Sequence, residues 1–197
     1  PCVALMGGIV CAVCARFHAP FPLPAANASA GGTDLGDLPE WDLSDRYTGE
    51  DAAELKRDLD WLEDACARFA EDYEGKLAEL DAQGLLDCVL RNEKISQIAG
   101  RIMSFAGLRY YQQTTDSGRA KFMSDMQEKI TDYTTPLVFF TLELNKLPDD
   151  HLAKLLDENP DLARYKPVFD RIRAMKPYQL SDEMEKFLHD LGVLRDA

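Results

Sequence analysis

The three histidines, His18, His151 and His189, test whether the sequence carries hydrolytic metal chemistry. The common zinc motif of peptidases has a glutamate directly after one histidine and a second histidine four residues after the first. One helix face then offers two ligands and a general base. None of the three histidines is followed by glutamate, and no two are four residues apart. We therefore predict no catalytic, cofactor-binding or metal-binding residue in this chain.

Two residue pairs have spacings that could suit a metal or redox site. Glu185 and His189 lie four residues apart on one predicted helix face, but two ligands do not complete a metal site. We expect them to form a solvent-exposed hydrogen-bonded or ionic pair. Cys11 and Cys14 have the spacing of a redox or zinc half-site, but no second Cys or His pair follows at ligand spacing. Neither pair is predicted to bind a metal.

A basic and aromatic cluster surrounds a predicted turn and contains Arg101, Arg109, Tyr110, Tyr111 and Arg119. Such groups can hold a peptide carboxylate or stack against a substrate chain. They can equally serve packing and salt bridges within the protein, and we favour that interpretation. The cluster stays a candidate for peptide binding until its partners are known.

The charge balance excludes several classes of partner. The 197 residues include 35 acidic and 22 basic side chains, which gives a formal net charge of -13. A surface of that sign disfavours binding to nucleic-acid phosphates or anionic membranes. The sequence also lacks a glycine-rich phosphate loop between a strand and a helix, so nucleotide binding is not indicated. We predict neither nucleic-acid nor membrane partners.

The five cysteines do not form a disulfide framework, because their number is odd and three of them lie within the first 14 residues. Cys66 and Cys88 fall on otherwise apolar faces of predicted helices. A free thiol there usually behaves as a small hydrophobic group in a reducing compartment. We therefore expect a cytoplasmic protein.

Residues 1–33 differ in composition from the rest, since they hold Arg16 and no acidic residue. The uncharged run at 2–15 is shorter than the roughly 20 apolar residues that span a bilayer. A signal peptide without its start is one interpretation, because residues 26–30 resemble a small-residue cleavage site. We favour a disordered or mis-assigned segment, followed by a helical domain over residues 34–197.

The spacing of apolar residues predicts an all-α fold, because they recur every three or four positions and never alternate. The first helix is expected over 51–77, with Leu55, Leu59, Leu62, Cys66, Phe69 and Tyr73 on one stripe. The second is expected from Leu85 to about Gln112, with Gly100 and Gly107 permitting close neighbours. Its inward side chains are expected to be Val89, Ile95, Ile98, Ile102 and Phe105.

The third and longest predicted helix carries its apolar stripe past Pro136, and ends at Leu147-Pro148. The stripe contains Phe122, Met126, Ile130, Tyr133, Leu137, Phe140 and Leu144. Proline removes a backbone donor, so we expect a kink near 132–136 rather than two unrelated helices. Shorter helices are expected at 150–158, at 161–175 with a disturbance at Pro167, and after a Ser181 cap.

Three blocks in order along the chain carry a family resemblance. They are LPEWDLSDRY at 38–47, the stretch 100–116 leading into 126–130 and 136–140, and the stretch 162–165 leading to QLSDEMEK at 179–186. As an ordered set, covering about residues 38–193, they resemble the N-terminal region of oligoendopeptidase F and related thimet-oligopeptidase-like zinc peptidases. None of the blocks is a catalytic signature.

The resemblance implies a larger parent enzyme that cleaves short peptides within a channel between an N-terminal and a catalytic lobe. It implies Zn²⁺ in a catalytic domain outside this chain. This chain would then be a fragment that ends before that domain. This chain would then line part of the channel, have its own catalytic domain as partner, and be inactive alone. An orphaned lobe should also expose an apolar surface.

A second hypothesis comes from a different class of protein. The long amphipathic stripes could accept a partner helix, which would make the chain a self-contained acidic helical interaction module without catalysis. Peptide specificity, oligomeric state and channel-lining residues do not follow from either hypothesis.

Overall fold

The computed structural model describes residues 41–192, and these form helices joined by short turns, with no strand among them. The all-α prediction is confirmed. The compositionally distinct segment 1–33, with Cys11, Cys14 and His18, lies outside the described residues. Within residues 41–192, no helix combines the length and the apolar character needed to cross a membrane.

The first helix, α1 (Ala53–Tyr73), buries the predicted stripe of Leu55, Leu59, Leu62, Cys66 and Phe69. It ends four residues before the predicted Leu77, because the backbone turns at Gly75, where φ is 77°. Leu77 is still fully buried, but in a short 3₁₀ turn at Leu77–Glu79. Glu143 stabilises this corner, since its two carboxylate oxygens accept hydrogen bonds from the N–H groups of Gly75 (2.6 Å) and Leu77 (3.3 Å).

We expect Gly75→Ala to lower the free energy of unfolding by about 1–2 kcal/mol, because a side chain disfavours positive φ. Nothing lies within 4 Å of a Cβ at this position, so the cost would be conformational rather than steric. Urea denaturation measures it. The matched control is Gly100→Ala on an exposed helix face, which should stabilise the protein by about 0.5–1 kcal/mol. Equal effects at both glycines would contradict the assignment.

The second helix, α2 (Ala82–Gln112), begins where the Asp81 carboxylate accepts a 2.7 Å hydrogen bond from the Gly84 N–H. Its predicted inward side chains are all buried: Val89, Ile95, Ile98, Ile102 and Phe105. The expectation of close neighbours at Gly100 is wrong, because this residue is exposed with open space around it. Gly107 is buried, but a Cβ there would meet only the Tyr111 ring at 3.9 Å.

Pro136 interrupts the third predicted helix where the sequence indicates. Helix α3 (Ser117–Thr134) leads through a 3₁₀ turn at Thr135–Leu137 into α4 (Val138–Lys146). The hydroxyls of Thr134 and Thr135 donate to the carbonyls of Ile130 (2.7 Å) and Thr131 (2.9 Å), which lie in the last turn before the proline. The apolar stripe continues across the break, with Met126, Ile130, Leu137, Phe140 and Leu144 buried.

Shorter helices follow: α5 (Asp149–Glu158), α6 (Pro160–Ala163), α7 (Lys166–Arg173) and α8 (Asp182–Asp190). The single helix predicted over 161–175 is divided into α6 and α7, and Pro167 lies in the first turn of α7, where its missing N–H costs little. Arg173 joins this region to α4, because its guanidinium donates to the carbonyls of Leu144 (2.6 Å) and Leu147 (2.7 Å). These acceptors would otherwise be unpaired at a helix end.

Candidate functional site

The basic and aromatic cluster predicted around the turn after α2 is used largely for internal contacts. Arg101 pairs with the Asp58 carboxylate and donates from Nε to the Tyr47 hydroxyl at 3.0 Å. The Tyr47 hydroxyl itself donates to Asp58 at 2.7 Å. The Tyr47 ring packs edge-on against Phe105, with ring centroids 5.3 Å apart. This network fastens the segment before α1 to both α1 and α2.

The other members of the cluster have internal partners as well. Arg109 pairs with Glu50 at 3.3 Å, and Arg119 donates to the Arg109 carbonyl at 3.3 Å. The rings of Tyr110 and Tyr111 pack with centroids 5.5 Å apart. The interpretation as internal salt bridges and packing is therefore confirmed for the arginines. Tyr111 remains 68% exposed and is the part of the cluster most accessible to a ligand.

A shallow depression of about 460 Å³ lies beside this network, where residues 41–46 meet α2. It is lined by Trp41, Asp42, Leu43, Asp45, Arg46 and Leu108. Trp41 is 61% exposed, and its carbonyl accepts a 2.8 Å hydrogen bond from the Gln112 side chain. The depression offers an indole surface and charges of both signs, and its lining contains no His, Cys, Ser or Lys side chain.

Cys66 and Cys88 are free and buried, as their positions on apolar faces predict. Burial raises the pKa of the Cys66 thiol from 9.0 to about 12. Burial has the same effect on the pKa of Cys88, which also reaches about 12, and the nearby Arg91 opposes it. Such thiols remain protonated at neutral pH and are poor nucleophiles.

We expect the protein to lose stability as pH rises from 9 to 12. The pKa values of Cys66, Cys88 and Tyr47 are raised to about 12 in the folded state, the last through burial and the hydrogen bond to Asp58. The folded chain therefore keeps protons that the unfolded chain releases above pH 9 to 10. Stability from this source is complete below pH 9 and is lost as pH approaches 12, by about 1.4 kcal/mol per unit of pKa difference at most.

Urea denaturation between pH 8 and pH 11 measures this dependence, with Cys66→Ala compared at each pH. The variant loses one titrating group, so its stability should decline less steeply with pH than that of the unaltered chain, whatever its stability at pH 8. Parallel pH profiles would show that Cys66 titrates alike in the folded and unfolded states.

The two histidines that the structure describes, His151 and His189, do not assemble a metal site. Within residues 41–192, no group of three or more His, Cys, Asp or Glu side chains is placed to hold a metal ion. The expected exposed pair of Glu185 and His189 is wrong, because Glu185 accepts a 2.9 Å hydrogen bond from the Leu180 N–H instead. The Nε2 atom of His189 is buried and has no partner within the described part of the chain.

A set of exposed apolar side chains lies between residues 175 and 187, and the sequence pattern did not predict its position. We call them the C-terminal apolar surface: Met175, Tyr178, Leu180, Met184 and Phe187, which are 38%, 75%, 49%, 46% and 55% exposed. They lie on α8 and on the segment before it, which includes a 3₁₀ turn at Lys176–Tyr178. The signal in the sequence is one apolar face of a short helix, formed by Met184, Phe187, Leu188 and Leu191, and periodicity alone does not show how much of it is covered.

Polar contacts attach this segment to the rest of the fold. Lys146 pairs with Asp182 at 2.6 Å, and Thr135 donates to Asp190 at 2.9 Å. The Ser181 hydroxyl accepts from the Met184 N–H at 3.4 Å, which confirms the predicted helix cap. The segment is thus held in place while much of its apolar surface faces outward.

Comparison with known proteins finds similarity to oligopeptidases. A family model for the N-terminal part of oligopeptidase F matches residues 143–197. The group B oligopeptidase PepB of Streptococcus agalactiae serotype III is 25% identical over 154 residues, covering 76% of this chain and 24% of that protein. The plasmid-borne oligoendopeptidase F of Lactococcus lactis subsp. cremoris is 24% identical over 164 residues, covering 82% and 27% respectively. No solved structure matches significantly. The chain spans about a quarter of the length of these relatives.

Proposed function

We propose, from its place in the N-terminal region of the oligoendopeptidase F family, that this chain is the helical lobe of an endopeptidase that cleaves short peptides. The observation that carries the proposal is the agreement of two comparisons, since the family match at 143–197 and the alignments over 154 to 164 residues indicate the same family. The lobe would form part of the wall of a substrate channel. It would act on peptides by positioning them and excluding folded proteins.

The zinc implied by the family has no fitting donor set among residues 41–192, because no three potential ligands converge there. His151 and His189 each bury an Nε2 atom that has no partner among residues 41–192, and neither histidine is followed by glutamate. We therefore assign the metal and the general base to another part of the parent polypeptide, and assign no catalytic role to this chain. The free, buried thiols support a reducing, cytoplasmic location for the parent.

The depression, together with the exposed Tyr111 on α2, is our candidate for the channel wall. Trp41 and Tyr111 expose large aromatic faces, which can stack on peptide bonds and side chains. The net charge of -13 would favour basic over acidic peptides through long-range attraction. Both features concern binding rather than bond cleavage.

The test compares this 197-residue chain with the product of the whole coding sequence on quenched fluorescent peptides. We expect cleavage by the longer product, loss of cleavage with a chelator, restoration by Zn²⁺, and no cleavage by the 197-residue chain. Absence of chelator-sensitive cleavage in the longer product would refute the proposal. Cleavage by the short chain alone would refute the assignment of the catalytic groups elsewhere.

A second candidate function is favoured by the C-terminal apolar surface, since a self-contained interaction module also exposes apolar groups for a partner. In that case the chain would be stable and monomeric without a catalytic lobe, and would bind an amphipathic helix of another protein. The same coding-sequence comparison separates the two, because a module needs no zinc-dependent activity in any longer product.

A further inference from the structure

We propose that the C-terminal apolar surface is the place where this lobe docks against the remainder of its own peptidase polypeptide. The inference rests on the proposed function and adds the location of the interface between the two parts. Its core is formed by Met184 and Phe187 on α8, with Tyr178, Leu180 and Met175 beside them. The occupant is a further part of the same chain, presenting a complementary apolar patch.

The burial pattern singles this segment out from its neighbours. Each preceding helix and 3₁₀ turn between residues 53 and 173 contributes at least one buried side chain, down to the three-residue turns that bury Leu77 and Leu137. The turn at Lys176–Tyr178 and helix α8 contribute none. The turn and α8 are therefore attached to the fold but contribute no residue to its core.

The apolar residues of α8 form one helical face that is only partly covered. Met184, Phe187, Leu188 and Leu191 are spaced so that they lie on the same side of the helix. Leu188 and Leu191 are half-buried, whereas Met184 and Phe187 are 46% and 55% exposed. The helix contacts α3 and α4, and we propose that the rest of the polypeptide covers the exposed part of the face.

The polar groups beneath the surface are also incompletely matched. Asn145 is 3% exposed, and its amide donates to the Gln179 side chain at 2.9 Å, but its Oδ1 atom has no partner among residues 41–192. The Nε2 atom of His189, on α8, also lacks a partner among these residues. Unpaired buried atoms are costly, so the contact between this segment and α4 leaves part of its polar groups unsatisfied.

The comparisons indicate which occupant to expect. The family match at 143–197 includes the whole C-terminal apolar surface and continues beyond the last described residue. The relatives are about four times as long as the aligned part of this chain, so a family member carries ample polypeptide to cover the surface. A second copy of this chain could cover the surface instead, and is an alternative outcome of the test.

Cysteine labelling tests the docking directly and independently of activity. Phe187→Cys is introduced into the 197-residue chain and into the product of the whole coding sequence, with Cys2, Cys11 and Cys14 replaced by serine. We expect labelling of position 187 to be about tenfold or more slower in the longer product, because docking removes it from solvent. Labelled peptides are quantified by mass spectrometry, which separates position 187 from every other cysteine.

The matched control is Lys154→Cys on α5, where the side chain is 72% exposed, and its labelling rate should be alike in both forms. Equal labelling of position 187 in both forms would overturn the inference, and so would protection of the short chain that rises with its concentration, which would indicate a second copy. Protection in a longer product that cleaves no peptide would support docking while refuting the proposed function.

Discussion

Phe69→Ala is expected to lower the free energy of unfolding by about 3–5 kcal/mol. The Phe69 side chain is completely buried. Its ring contacts Tyr73 of α1 and also Phe139 and Phe140 of α4, at centroid distances of 5.0, 5.7 and 5.9 Å. Alanine would remove the ring that joins the two helices and leave a cavity, at a cost comparable with much of the total stability of a typical domain.

The measurement is equilibrium urea denaturation followed by circular dichroism. The matched control is Phe187→Ala, the same substitution at a ring that is 55% exposed, and it should change stability by less than about 0.5 kcal/mol in the 197-residue chain. A loss at position 187 as large as at position 69 would show that α8 packs differently from the structure described above.

Asp58→Ala is expected to destabilise the protein by about 1.5–3 kcal/mol, which is the second largest effect among the substitutions. The Asp58 side chain is 13% exposed and accepts hydrogen bonds from both Tyr47 and Arg101. Its removal would leave the Arg101 guanidinium without its carboxylate and the Tyr47 hydroxyl without its acceptor. The segment 41–52 should then detach from α1 and α2 more readily, which amide hydrogen exchange would detect.

The control for this variant is Asp64→Ala on the same helix. Asp64 pairs with Arg68 one turn away, and both side chains are more than half exposed, so its loss should cost about 0.3–0.5 kcal/mol. The double variant Tyr47→Phe, Asp58→Ala should be less destabilised than the sum of its single variants, because they share one hydrogen bond. Strict additivity would mean that Tyr47 and Asp58 do not interact.

The sequence predicted the features that depend on neighbouring residues. The stripe of α1, the buried side chains of α2 and the interruption at Pro136 all follow from periodicity and from the missing N–H of proline. The cap at Ser181 is of the same kind, because the hydroxyl acts within a few residues of its position. The residues that cause such features are close together in the sequence, so the sequence alone predicts them.

Contacts between distant residues were predicted less well. The end of α1 was placed at Leu77 because the apolar pattern continues to that residue, but Gly75 turns the chain and Glu143 caps the turn from 68 residues away. Likewise, no pattern shows that Glu185 would accept from the Leu180 N–H rather than meet His189. Such choices depend on which groups the tertiary fold brings within hydrogen-bonding distance.

The sequence predicted which kinds of candidate functional surface the chain has, but not which residues form them. An exposed apolar surface was expected for an orphaned lobe, but its residues were not, because the single apolar face of α8 has the spacing of a core-facing helix and only packing decides how much of it is covered. The basic and aromatic cluster was correctly expected to form internal salt bridges. Arg101 and Arg109 find acidic partners 43 and 59 residues away, Asp58 and Glu50, which spacing along the chain does not identify.

The cap that Glu143 provides bears on how the chain can be divided. The family match starts at this residue, which lies inside α4 rather than between two elements. A cut at that position would divide α4 and separate its residues Phe139 and Phe140 from Leu144. The beginning of the matched segment is therefore a boundary of sequence similarity and not of folding. The corner after α1 and the segment that follows Glu143 are expected to unfold as one cooperative unit.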